Sequence, residues 1–178
     1  GDIVDLRTVV EEDADLEILT FDSEGGKGAF FHTTSHILAQ AVKRLYPDTK
    51  LAIGPSIDNG FYYDLDREEP FVAEDLEKIE AEMKKIVKED LPIERFTKPR
   101  EEAVAYFKES NEPYKVELIE DLPEGEEISF YRQGEFTDLC AGPHLMSTKA
   151  VKAFKLTSLA GAYWRGSEKN KMLTRIYG

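Results

Sequence analysis

The stretch that decides the fold is Ile128-Ser129-Phe130-Tyr131-Arg132, then Phe136-Thr137-Asp138-Leu139, then Cys140-Ala141-Gly142-Pro143-His144. The first two segments are rich in aromatic and β-branched residues and read as strands. The third cannot continue in any regular element through Gly142-Pro143, so it is a turn at a strand end, placed to expose Cys140 and His144. Working upstream, Thr33 to Tyr46 carries Ile37, Leu38, Ala41, Val42 and Leu45 at helical spacing, with Pro47 as its stop. Phe71 to Glu89 is a second helix, whose stripe of Leu76, Ile79, Met83, Ile86 and Val87 suits packing on a sheet. Thr97 is placed to cap a third helix carrying Ala103, Val104 and Phe107, with Pro99 in its first turn.

Further strands are expected at Leu51–Gly54, Phe61–Leu65, Ile93–Phe96, Val116–Ile119, Val151–Leu156, Ala162–Arg165 and Met172–Tyr177. Helices and strands follow one another without a regular βαβ alternation. The expectation is therefore α+β: a mostly antiparallel sheet with helices packed on it. Residues 1–21 read as two short strands, Ile3–Leu6 and Leu16–Phe21, and Asp22–Gly28 as a glycine-rich link. Two strands do not fold alone, so 1–21 are expected to belong to a module cut off upstream, and 22–178 to form the domain. A start at Gly1 suits such a segment.

At 178 residues the chain is long enough for one domain with a core, and an apolar fraction of 41% before glycine excludes disorder as a whole. The longest uncharged run, Gly28 to Val42, falls short of the ~20 residues that span a bilayer, and no basic region followed by an apolar one reads as a secretory signal, so none is expected. A single cysteine removes the internal disulfide. A cytoplasmic protein without membrane contact is expected. The formal charge of −13 argues against a non-specific nucleic-acid coat, yet it is unevenly spread. Lys149 to Gly178 holds seven basic residues and Glu168 alone as an acid, a net of +6 against −19 for the first 148 residues. That is either a solvated basic edge or a contact for an anionic partner.

All three histidines and the only cysteine fall into two motifs, His32-x-x-x-His36 and Cys140-x-x-x-His144. Four residues apart at a helix start, both imidazoles of the first motif point to one face. Such a set fits zinc chemistry, which needs a few N or S donors in a tetrahedron, although Thr33 in place of Glu excludes the HExxH protease pattern. It equally fits metal-free activation of a water by imidazole. Spacing leaves both open. Asp138, two before Cys140, shares its strand face. Lys115 reads by composition as a surface lysine at a strand start, Tyr62 and Tyr63 as core and edge of a strand, and Gly54-Pro55 as a tight turn or a close approach to a ligand.

Assembled, these segments resemble the editing domain of the threonyl-tRNA synthetase family. The resemblance rests on His32-Thr33-Thr34-Ser35-His36, Ile53-Gly54-Pro55, Asp58-Asn59-Gly60-Phe61-Tyr62-Tyr63-Asp64, Tyr114-Lys115, Asp138-Leu139-Cys140-Ala141-Gly142-Pro143-His144 and Ala160-Gly161-Ala162-Tyr163-Trp164-Arg165-Gly166. It runs from about Phe21 to the end. Related alanyl-type editing domains share the HxxxH and CxxxH pair, while the other segments look threonyl. The resemblance implies a fold of the HxxxH/CxxxH editing type and, for 1–21, the tail of a ubiquitin-like module. It implies hydrolysis of the ester of seryl-tRNA(Thr), with the tRNA(Thr) 3′ end and the remainder of the synthetase as partners and no aminoacylation by this segment. It gives His32 the role of water activator and Lys115 that of its support. His36, Cys140 and His144 complete the pocket, and Tyr63, Asp138 and Gly54 contact substrate, Asp138 suiting the serine ammonium. No cofactor is implied, with zinc at His32, His36, Cys140 and His144 as the alternative of an alanyl-type hydrolase. A non-catalytic module that binds the tRNA 3′ end is the other rival.

Overall fold

A computed structural model describes all 178 residues. Its centre is α1 (Glu24–Leu45). Ser23 caps it, its side chain accepting from Gly26 N–H, and Lys43 and Arg44 face the negative end of the helix dipole. Ten consecutive residues, Thr33 to Val42, are buried on every side. Such a helix has no solvent face, and must satisfy its polar side chains internally. α2 (Ala73–Glu89) is capped by Asp75, whose carboxylate accepts from Val72 N–H at 2.8 Å, and it buries Ile79, Met83 and Ile86 completely. It packs chiefly against α1, not on a sheet as its stripe suggested.

Every strand pairing is antiparallel, as the α+β reading requires. One sheet has the order β1 (Lys50–Leu51), β3 (Gly60–Asp66), β8 (Met172–Tyr177), β7 (Ser158–Tyr163), with β2 (Ser56–Ile57) also paired to β3. The other is β4 (Ile93–Lys98), β5 (Ile128–Gln133), β6 (Phe136–Leu139). α3 (Arg100–Glu109) and α4 (Pro113–Glu120) pack on each other and, with β5, enclose a second core of Ala103, Phe107, Val116, Ile119, Ile128 and Phe130. The main core joins α1, α2 and β3 through Ile37, Leu38, Val42, Tyr63, Leu65, Ile79 and Met83.

Several expectations are corrected. Residues 1–20 hold no strand; they run irregularly over the surface, with Leu6, Val9, Leu16 and Ile18 exposed. The glycine-rich link is the first turn of α1, which places His32 and His36 well inside the helix instead of at its start. Thr97 lies in β4, and Pro99 takes the cap position of α3. Val116–Ile119 is part of α4: four apolar-rich residues do not distinguish period 2 from period 3.6, whereas Pro113 at the first helical position does. Val151–Leu156 is irregular, fixed by burial of Val151 and Leu156. Only Lys50–Leu51 of the Leu51–Gly54 region pairs as a strand. Ala162 and Tyr163 end β7, while Trp164 and Arg165 begin a 3₁₀ turn.

Candidate active site

α1, β3, α4 and the segment following β6 converge on one cluster. His32 and His36 project from α1 with ring centroids 5.1 Å apart. The loop after Leu139 brings His144 between them, 4.4 Å from the His32 ring and 4.3 Å from that of His36. Cys140 Sγ lies 3.3 Å from His32 Nε2 and 3.1 Å from His144 Nε2, and accepts from Gly142 N–H. Two motifs more than a hundred residues apart therefore build one site. Cys140 and His144 are buried, not exposed by their turn as expected; His32 alone of the four is partly open to solvent.

Behind the imidazoles lies a buried ionic group. Lys115 Nζ is 2.8 Å from Asp138 Oδ1 and donates to Tyr63 Oη at 2.9 Å. Tyr63 Oη in turn donates to Asp138 Oδ2 at 2.6 Å, and His36 Nε2 stands 3.7 Å from the same oxygen. Lys115 is 3% exposed and Asp138 1%, so the surface reading of Lys115 is overturned. α4 aims the lysine inward from its first turn, where Pro113 starts the helix. Asp138 Oδ1 also accepts from Leu139 N–H, leaving no idle oxygen. Gly54 lies against the Tyr63 ring. A Cβ there would lie 2.1 Å from the Tyr63 ring, so its missing side chain is what lets that ring pack. Its carbonyl accepts from Ser35 Oγ at 2.6 Å, which ties the turn to α1.

Charge is scarce among the imidazoles. Burial holds His32, His36 and His144 below the usual histidine value, helped at His36 and His144 by the neighbouring rings. All three are neutral at pH 7. Burial pushes the Cys140 thiol up to about 12, so it is a thiol and not a nucleophilic thiolate. Thr33, in the same turn of α1, was not singled out from the sequence. Its Oγ1 accepts from Leu145 N–H at 3.0 Å and lies 2.9 Å from His144 Nδ1. With the hydroxyl proton given to Nδ1, the ring proton sits on Nε2, facing sulfur.

The same four donors lie within 4.8 Å of one another, the compactness a tetrahedral N₃S set requires. A zinc ion would take the opposite His144 tautomer, with Nδ1–H donated to the second lone pair of Thr33 Oγ1. The residues fit the metal.

The basic stretch is less free than its charge suggests. Lys155 pairs with Glu80, Arg165 with Glu117 and Asp121, Lys171 with Asp66, and Arg175 with Asp64. No helix is long and apolar enough to cross a membrane.

A buried three-imidazole, one-thiol cluster backed by a Lys–Asp–Tyr group, on an α+β frame, defines the class to which comparison also leads. Residues 128–177 match the family described as "Threonyl and Alanyl tRNA synthetase second additional domain". Over all 178 residues the chain is 72% identical to the threonine–tRNA ligase of Acetivibrio thermocellus, 69% to that of Caldanaerobacter subterraneus subsp. tengcongensis and 70% to that of Clostridium tetani. It spans 28% of the length of each of them. The chain belongs to the threonyl-tRNA synthetase family, as a segment carrying its editing domain.

Proposed function

We propose that this segment hydrolyses the ester of seryl-tRNA(Thr). The supporting observation is the convergence of His32, His36, Cys140 and His144 on one cluster whose solvent-facing member is an uncharged imidazole. Serine lacks one methyl of threonine, a difference that binding discriminates by only ~1–3 kcal/mol, so a second, hydrolytic site is needed to clear the error. His32, neutral and at the open edge, takes the proton of the attacking water. Cys140 and His144 fix its ring. The Lys115–Asp138–Tyr63 group holds the floor rigid. Asp138, with both oxygens engaged, offers field rather than a vacant acceptor to the substrate ammonium. Base catalysis of ~10²–10⁴-fold on an already activated ester is adequate.

The test is deacylation of Ser-tRNA(Thr) and Thr-tRNA(Thr) by the purified chain. Preferential release of serine, lost in His32→Ala, supports the reading; release of neither, or of both equally, refutes it. Because burial lowers the His32 pKa, the enzymatic rate should rise with pH only below 6.5 and be level above it. A rate still climbing above about pH 7.5, after subtraction of spontaneous hydrolysis, excludes His32 as the base.

A zinc-dependent site is the second reading, favoured by the donor set itself. His32, His36, Cys140 and His144 would hold the ion, which would supply Lewis acidity to a carbonyl or water. One zinc per chain, with activity lost to chelator, would establish it.

A further inference from the structure

Residues 1–20 form neither helix nor strand, yet two of their side chains are held firmly. Asp5 Oδ1 accepts from His144 N–H at 2.7 Å, and its Oδ2 accepts from Tyr131 Oη at 2.5 Å. Arg7 donates to Ile93 O and, at 3.4 Å, to Met146 O. The segment is thus a strap that joins β4, β5 and the loop bearing Cys140 and His144. That loop is also tied at its two ends: Cys140 N–H donates to Ser129 O at 3.2 Å, Ser129 Oγ donates to Cys140 O at 2.5 Å, and Ile93 N–H donates to Met146 O at 2.8 Å. Gly142 N–H donates to Cys140 Sγ and Leu145 N–H to Thr33 Oγ1, while the His144 amide has Asp5 as its acceptor. Tyr131 belongs to the same contact: its ring lies 4.3 Å from that of His144, and a Cβ on Gly142 would come within 2.1 Å of its hydroxyl. A cavity of about 480 Å³ lies between the strap and β4–β5, with His144 on its wall, so an amide released by Asp5 would open onto solvent-accessible space.

We propose that Asp5 is a positioning residue for His144, and through it for Cys140. It acts on the loop backbone and on Tyr131, and touches no reacting atom. Anything that draws the strap away from β4–β5 would loosen the imidazole–thiol cluster, coupling whatever lies on the strap to the site. The kinetic arm of the test rests on the deacylase reading; the two structural arms do not.

The experiment compares Asp5→Ala, Asp5→Asn and the unaltered chain by amide hydrogen exchange at His144, iodoacetamide alkylation of Cys140, and deacylation kinetics. In Asp5→Ala, His144 exchange and Cys140 alkylation should each rise about tenfold or more, as loss of a hydrogen bond to a charged acceptor implies. The amides of Ile79 and Met83 in α2 should not change. Deacylation should lose kcat with KM unaltered. Asp5→Asn keeps an acceptor for the amide and should restore most of all three readouts. Exchange and alkylation within about twofold of the unaltered chain would overturn the proposal. So would a parallel rise at Ile79 and Met83, which marks general loosening, or failure of Asp5→Asn to rescue. If the structural arms respond while no variant, nor the unaltered chain, deacylates, the positioning role stands and the deacylase reading falls.

Discussion

Lys115→Met is the most informative substitution. Methionine keeps the length and apolar stem of lysine, and removes only the ammonium that lies 2.8 Å from Asp138 Oδ1 and 2.9 Å from Tyr63 Oη. Both ions are almost completely buried, so the substitution leaves a carboxylate without its counter-charge. Breaking a buried pair from one side costs about 3–5 kcal/mol. The lower end applies here, because Asp138 retains the Tyr63 hydroxyl and the Leu139 amide as donors. A loss of about 3 kcal/mol leaves the chain folded at 25 °C within a usual stability of ~5–15 kcal/mol, so rate and stability remain separable. Urea unfolding of Lys115→Met, Asp138→Asn and the double variant measures the effect. The double variant should lose less than the sum of the singles, by about 2 kcal/mol, since removing both charges abolishes the stranded ion. A Lys115→Met loss under about 1 kcal/mol, or strict additivity, would refute the view that the pair is a desolvated unit. Activity loss in Lys115→Ala alone would be ambiguous, because that variant adds a cavity to the stranded charge.

Two further outcomes are expected. Gly54→Ala should cost about 3 kcal/mol and most of the deacylation rate, because its methyl would sit 2.1 Å from a fully buried Tyr63 ring; an unchanged melting temperature would contradict the packing described. Glu112, at the N-terminus of α4, has its pKa raised to about 7 by burial, against the opposing pull of Lys43 and Lys115. A carboxyl with a folded pKa above its unfolded one binds more protons in the native state, so stability falls as pH rises from about 4.5 to about 7, by up to ~3 kcal/mol. Glu112→Gln should flatten that decline in denaturant titrations across this range, and an unaltered slope would show that Glu112 is not its source.

How much of this was legible in the sequence depended on how local the signal was. The imidazoles and thiol were readable because the chain confines them to two short motifs, and the strands around them because aromatic and β-branched residues mark β5 and β6. Lys115 was not. Lysines are overwhelmingly solvated, and its burial follows from α4, whose apolar residues mimic a strand when read four at a time. Asp5 was invisible for another reason: it lies in a segment with no regular structure, and its partners are an amide and a hydroxyl more than a hundred residues away. Thr33 carried a weak signal, being a polar residue between two histidines in a helix that has no polar face.

The burial gradient across the cluster gives it a direction. His32 is partly open to solvent, Cys140 and His144 keep only a trace of exposure, and Asp138 is almost completely buried. On the deacylase reading proposed above, substrate would therefore come to the His32 edge by its aminoacyl tip, with the bulk of the tRNA left outside.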